Sequence, residues 1–373
     1  MRHRRPGRLR LAGHPAVRSG GEESRQSDDT EGRVHALGSS AEPVPPTVAD
    51  VWDARRALQG VVRRTPVFRE DLLDEAVGAA VHVKAEHLQR TGSFKVRGAY
   101  NKVRSLSPEA RARGILTVSA GNAALGAAFA ARAHGIPCRV VMPARPVQAK
   151  LDAVRALGAE VILHGTSTTE MFARAEELMA EHGYSFVHPF EQPEVVAGQG
   201  TIGFEILEDV PDVDTIYVPA SGGGMLAGVA LAVKALAPRV RVIGVQPQGA
   251  PSIRLSLDAG AVTESPPVDT LADGLIARRC GALNFAIIRR LVDDVVLVSD
   301  DEILDAMRLI WRTMRTAVEP SGAAALAGAC RDRRAGRSRV VVTSGANVDL
   351  DLLRHALAGG TAAAWKQAAA GGR

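Results

Sequence analysis

Apolar and polar positions fall into short blocks along this chain, and the blocks predict its elements. From Val48 to Gly60 the pattern is helical, with Val48, Val51, Leu58 and Val61 punctuating polar residues. Arg64-Thr65-Pro66-Val67 then turns extended, and Val81 to Lys84 predicts a strand. A helix continues through Ala99, Tyr100 and Val103, with Thr91 and Ser93 placed to cap it. Beyond it, strand and helix alternate. Ile115–Val118, Arg139–Pro143, Glu160–His164 and Phe186–Pro189 read as strands, and Ala123–His134, Val147–Leu157 and Thr168–His182 as helices closed by Gly135, Gly158 and Gly183. A helix then follows Gly198 through Glu205 and Leu207, and Thr215–Pro219 is a strand. After Ser221-Gly222-Gly223-Gly224 comes a long helix to Leu236, then strands at Val240–Val245, Asp294–Val298 and Arg339–Thr343. Asp300 is placed to cap a helix through Ile303, Met307 and Ile310, and the Ala- and Gly-rich residues after Leu357 read as a frayed end. This rhythm predicts an α/β fold with parallel sheets covered by helices. It divides the chain into a large domain, 48–113 and 191–373, and a small domain, 114–190, inserted within it.

Composition bounds the class. The chain has 373 residues, 46% of them hydrophobic, which is enough for two domains. No apolar run is long enough to span a membrane. Cys138, Cys280 and Cys330 lie far apart without metal-ligand spacing, which points to buried thiols and a reducing, cytoplasmic compartment. Much of the net charge of +5 comes from Met1 to Arg10. That segment has no aromatics to stack on bases, so no nucleic-acid partner is expected, and no apolar core follows it as in a secretory signal. Residues 1–47 stay polar and rich in Gly, Ser and Pro, and read as a disordered extension.

The chemistry concentrates in three places. Thr91 to Gly98 sets Lys95 between small residues and Phe94 at the start of a helix. A lysine amine forms a Schiff base with an aldehyde when its pKa lets the neutral form attack. Taken alone, Lys95 reads as a solvated lysine in a first turn; the other two places change that. Ser221-Gly222-Gly223-Gly224 lies between a strand and a helix, so backbone N–H groups and the start of the Met225 helix converge on an anion. One glycine would suffice for a tight turn. The loop is neither the dinucleotide fingerprint nor the GKS/T loop, which counts against NAD and ATP. Ser119-Ala120-Gly121-Asn122 makes a second anion nest at the start of the Ala123 helix. No zinc set, Cys–His pair or GxSxG elbow is visible, and His87, His164 and His188 read as structural.

The run from Lys84 to Ala99 resembles the pyridoxal-phosphate site of the threonine dehydratase and serine racemase family, and the resemblance extends from about Val48 to Val348. It implies a fold type II enzyme, similar to the tryptophan synthase β chain, with two doubly wound domains. It also implies that Lys95 is the Schiff-base lysine and base, and that Phe94 packs beside the cofactor. By the same resemblance, Ser221, Gly222, Gly223, Gly224 and Met225 hold the cofactor phosphate. Asn122 bonds the cofactor's 3′-oxygen, while Ser119, Ala120, Gly121, Asn122 and Ala123 bind the substrate carboxylate. Ser344 would face the pyridine nitrogen, where a hydroxyl holds the ring as a weaker electron sink than a carboxylate does. Glu319 looks like the family's glutamate near the ring, though a helix-capping acid fits it equally well. The implied reaction removes water from L-threonine or L-serine, giving a 2-oxo acid and ammonia. Serine racemase and hydroxyaspartate dehydratase are the alternatives within the family, and a ligand-binding protein with little turnover is the alternative outside it.

Several positions depart from the family. Ala123 and Leu125 replace a common histidine and glutamine, which puts substrate choice in doubt. Ala120 stands where similar racemases carry the serine serving the second face, so elimination is expected over racemisation. Gln246 and Ser252 stand where a cation's carboxylates would be, so no metal is expected. The stretch after the core is short for the effector-binding extension of biosynthetic threonine dehydratases, and feedback through such a domain is not expected. The family suggests a homodimer.

Overall fold

The computed structural model describes residues 44–332 and 338–371. The predicted extension therefore lies, up to residue 43, outside the described residues. The chain opens with α1 (Val48–Leu58), β1 (Val67–Arg69), α2 (Asp71–Val77) and β2 (Ala80–Lys84). Two single turns lead into α3 (Lys95–Arg104) and α4 (Pro108–Arg113). Next come β3 (Ile115–Val118), α5 (Asn122–His134), β4 (Cys138–Met142), α6 (Gln148–Ala156), β5 (Glu160–Leu163), α7 (Thr168–His182) and β6 (Ser185–Phe186). The chain continues with α8 (Pro193–Asp209), β7 (Thr215–Pro219), α9 (Gly224–Leu236), β8 (Arg241–Pro247), α10 (Ser252–Ala259), α11 (Ala282–Leu291) and β9 (Asp294–Val298). It closes with α12 (Asp300–Met314), α13 (Pro320–Arg331), β10 (Ser338–Val342), α14 (Leu350–Leu357) and α15 (Ala362–Gly371).

The strands form two sheets. The larger has the order β1-β2-β10-β7-β8-β9, parallel except for β1 against β2. The smaller, β5-β4-β3-β6, is wholly parallel. Strands covered on both faces read as unbroken apolar runs rather than alternating ones. Accordingly every residue of β3, β7 and β10 is buried, and cores lie on both faces of each sheet. Helix α9 is buried from Gly224 to Val233 and crosses α8 closely. A Cβ on Gly228 would lie 2.3 Å from the Val196 carbonyl oxygen.

The first turn of α3 is tied down by a buried ionic network. The Arg97 guanidinium donates to both carboxylate oxygens of Glu86, at 2.8 and 2.7 Å, and to those of Glu205, at 2.7 and 2.9 Å. Lys84 joins it, its Nζ 2.7 Å from Glu205 Oε2. Removing one member of such a buried set costs about 3–5 kcal/mol. The network therefore fixes the turn that carries Lys95.

Four expectations are corrected. Neither Thr91 nor Ser93 caps α3: Thr91 has a left-handed φ of 63°, the Ser93 hydroxyl is buried without a hydrogen-bond partner, and Phe94 occupies the cap position. The helix expected after Gly198 begins earlier, at Pro193, because its glycines sit inside the helix where neighbouring helices approach. Helix α12 is capped by Ser299, which exchanges hydrogen bonds with Glu302; Asp300 instead accepts from Thr270 and Leu271. The frayed end is a helix, α15, fastened by the Ala362 N–H to Asp301 and by Lys366 to Asp300. Among the described residues no helix is long and apolar enough to cross a membrane.

Candidate active site

Loops following β3, β6, β7 and β10 meet the start of α3 between the two sheets. This is where open parallel sheets gather ligands, at the carboxyl ends of their strands. Residues 92–94 lie against 344–346: Phe94 N–H donates to the Ser344 carbonyl at 3.2 Å and Ala346 N–H to Gly92 at 2.9 Å. That pairing delivers Lys95 at the first position of α3.

Lys95 is half-buried, and its Nζ donates to the Pro189 carbonyl at 2.7 Å and lies 5.2 Å from the centre of the Phe94 ring. Burial strips water from the ammonium and pulls its pKa from 10.5 down to about 8, against the opposing pull of Glu319. A fraction of the amine is then neutral near pH 7, the form that attacks carbonyls. Pro189 is presented by a rigid turn, in which His188 Nδ1 accepts from the N–H groups of Phe190 and Glu191 at 3.2 and 2.9 Å.

The glycine loop leads from β7 into α9. Gly223 takes a left-handed φ of 96°, and Gly224 opens the helix. The N–H groups of the first helical turn have no acceptor within the helix, so they and the positive dipole end are available to an anion. Ser221 Oγ accepts from Ala277 N–H at 3.1 Å, and Asn284 Nδ2 donates to the Gly222 carbonyl at 2.7 Å, which fix the loop. Phe190 packs directly on it: a Cβ on Gly224 would lie 2.3 Å from the Phe190 carbonyl oxygen. Met225 is buried in the core beneath.

Opposite lies an amide–carboxyl chain. Asn122 Nδ2 donates to Glu319 Oε1 at 2.6 Å, and Asn347 Nδ2 donates to Asn122 Oδ1 at 2.6 Å and to the Thr91 carbonyl at 2.9 Å. Glu319 stands at the cap position of α13 without capping it by its side chain, which faces Asn122 instead. Burial, then the negative charge of Asp273, raises its pKa from 4.5 to about 7. Ser344 is buried, its hydroxyl donating to the Ser321 carbonyl at 3.2 Å. In the second nest, Gly121 N–H donates to Ser119 Oγ at 3.1 Å, Ala120 is exposed and Ala123 is half-buried beside Lys95.

These predicted residues thus converge, except that Met225 turns its side chain into the core. Asn347 was missed. It lies in the same run as Ser344, but only the fold shows that it orients Asn122. Phe190 was missed because no local pattern marks it. Gln246 and Ser252 face one another, and Gln246 Oε1 accepts from the N–H groups of Ile253 and Arg254, both at 3.0 Å. Among the described residues no cluster of His, Cys, Asp or Glu has the makings of a metal site.

A half-buried lysine of lowered pKa, a helix start open to an anion and an amide–carboxyl pair suit an aldehyde cofactor bearing a phosphate. The comparisons agree. A family model for pyridoxal-phosphate-dependent enzymes matches residues 58–345. The L-threonine ammonia-lyase of Thermotoga maritima is 42% identical over 308 residues, 82% of this chain and 77% of that protein. The catabolic L-threonine dehydratase of Escherichia coli K12 is 39% identical over 311 residues, 82% of this chain and 94% of that protein. The structure of maize serine racemase superposes with a TM-score of 0.81 at 36% identity, covering 85% of this chain and 98% of that one. The fold, the site and these matches place the chain in the fold type II family of pyridoxal-phosphate-dependent enzymes.

Proposed function

We propose that this protein is an ammonia-lyase that removes water from L-threonine or L-serine and releases a 2-oxo acid and ammonia. The observation that carries the reading is the geometry of Lys95, whose Nζ bonds the Pro189 carbonyl beside the Phe190 that packs on the glycine loop, in a site whose donors suit the cofactor. Lys95 would hold the cofactor's aldehyde, beside Phe94. The loop Ser221 to Gly224 and the Met225 N–H at the start of α9 would take its phosphate. Asn122, aimed by Asn347, would meet the ring oxygen, and Ser344 would offer the ring nitrogen a neutral hydroxyl. When bound, pyridoxal phosphate supplies an electron sink for the charge left at the α-carbon. The nest from Ser119 to Ala123 would receive the substrate carboxylate, and neutral Lys95 would take the α-proton. Glu319, its pKa pushed up to about 7 by burial and by Asp273, can carry a proton beside Asn122. Residues 114–190 are read as the small domain, supported by their self-contained parallel sheet. The buried thiols of Cys138 and Cys280 support a reducing, cytoplasmic setting.

The structural likeness to serine racemase favours a second reading. Racemisation needs a proton donor on each face of the α-carbon, and the Ala120 methyl neither gives nor takes a proton. The test is incubation of the purified enzyme with L-threonine and L-serine, measuring oxo acid and, by chiral chromatography, D-serine. Oxo acid with little D-serine is expected, and Ala120→Ser should raise D-serine. D-serine formed as fast as pyruvate would replace this reading with the racemase one.

A further inference from the structure

One charged pair at the site has no part in the reading above. Lys150 lies in the first turn of α6 and reaches back over the nest, so that a Cβ on Gly121 would lie 3.6 Å from its Nζ. Its ammonium is ion-paired with Asp273, from the loop between α10 and α11. The pair therefore joins the half built on the small sheet to the half built on the large one. Asp273 belongs to the site side of that loop. The next N–H, from Gly274, donates to Ser321 Oγ at 2.8 Å, and a Cβ there would lie 3.9 Å from Glu319 Oε1. Exposure is uneven: the side chain of Lys150 is 17% exposed and that of Asp273 is 55% exposed.

A cation beside the carboxylate nest would attract any anionic group of a substrate. Asp273 occupies that cation, and its own side chain stays 55% exposed next to the Gly274 turn that packs on Ser321. The hydroxymethyl group of serine or the hydroxyethyl group of threonine is indifferent to this field. A substrate with a second carboxylate on its β-carbon must enter against Asp273 and compete with it for Lys150. We propose that the Lys150–Asp273 pair determines specificity, reserving the site for neutral β-hydroxy amino acids and turning away β-carboxylated ones such as 3-hydroxyaspartate.

The inference rests on the dehydratase reading. Its test is the ratio of kcat/KM for L-threo-3-hydroxyaspartate to that for L-serine in the wild-type holoenzyme, in Asp273→Asn and in Lys150→Met. Effects common to both substrates, such as those on the shared α-carboxylate, cancel in the ratio. Asp273→Asn removes the competitor and should raise the ratio about tenfold. Lys150→Met leaves Asp273 uncompensated and should lower it. An unchanged or lowered ratio in Asp273→Asn would overturn the proposal. If the wild type dehydrates neither amino acid, the dehydratase reading fails. The pair is then judged from dissociation constants of the two amino acids, read as changes in the cofactor's absorbance, with the same expected order between variants.

Discussion

Replacing Glu319 by Gln changes a buried acid into its neutral isostere, and the structure sets the size of the effect. The carboxyl is buried and feels the charge of Asp273, which together outweigh the hydrogen bond it accepts from Asn122, so its pKa rises from 4.5 to about 7. A group with a raised folded-state pKa contributes stability that is fully present below the unfolded value and is lost as pH rises through the folded one. The window here is therefore pH 4.5 to about 7. Between pH 5 and pH 8 the wild-type apoprotein should lose about 2–3 kcal/mol through this one group. Glu319→Gln has no proton to lose there, so the stability difference between variant and wild type should shift by that amount in the variant's favour. The Asn347 N–H also bonds the carboxyl, and its fit to an amide adds an offset that is the same at both pH values. Urea unfolding of the apoproteins at pH 5 and pH 8 measures the shift, and the titrating groups that do not interact with Glu319 cancel in the comparison. A difference that is equal at both pH values would refute the assignment of Glu319 as a strained buried acid.

Two further substitutions probe the cradle and the amide chain. Gly224→Ala forces a methyl against the Phe190 carbonyl oxygen, which backbone must yield to. It should cost about 1–3 kcal/mol of stability and weaken pyridoxal-phosphate binding, measured by thermal melting and cofactor titration; wild-type affinity would argue against the cradle. Asn347→Ala leaves Asn122 without the donor that orients it and should lower kcat about tenfold while stability falls by about 1 kcal/mol; unchanged kcat would remove Asn347 from the site.

The linear motifs were legible because the chemistry needs adjacent residues. Lys95 in its octapeptide, the Ser221–Gly224 loop and the Ser119–Asn122 nest each lie within one turn. What depended on tertiary contact was not legible. Asn347 reaches Asn122 across 225 positions, and Lys150 reaches Asp273 across 123. Helix α13 was missed because its residues Pro320 to Ala329 are all buried, so no amphipathic stripe marks it. The misplaced cap of α12 was an error of one position: Ser299 to Glu302 spells a capping box that Asp300 obscured. The glycines of α8 look like a loop in isolation, and only the close approach of α9 explains them within a helix.

The central claim is that Lys95 holds the cofactor. The most direct measurement is borohydride reduction of the holoenzyme, which traps pyridoxal phosphate on the lysine that carries it, followed by peptide mapping by mass spectrometry. The account predicts the added mass on the peptide containing Lys95, and loss of both the visible absorption band and oxo-acid formation in Lys95→Ala. The added mass on Lys84, Lys150 or any other lysine, or normal turnover by Lys95→Ala without added amines, would contradict it.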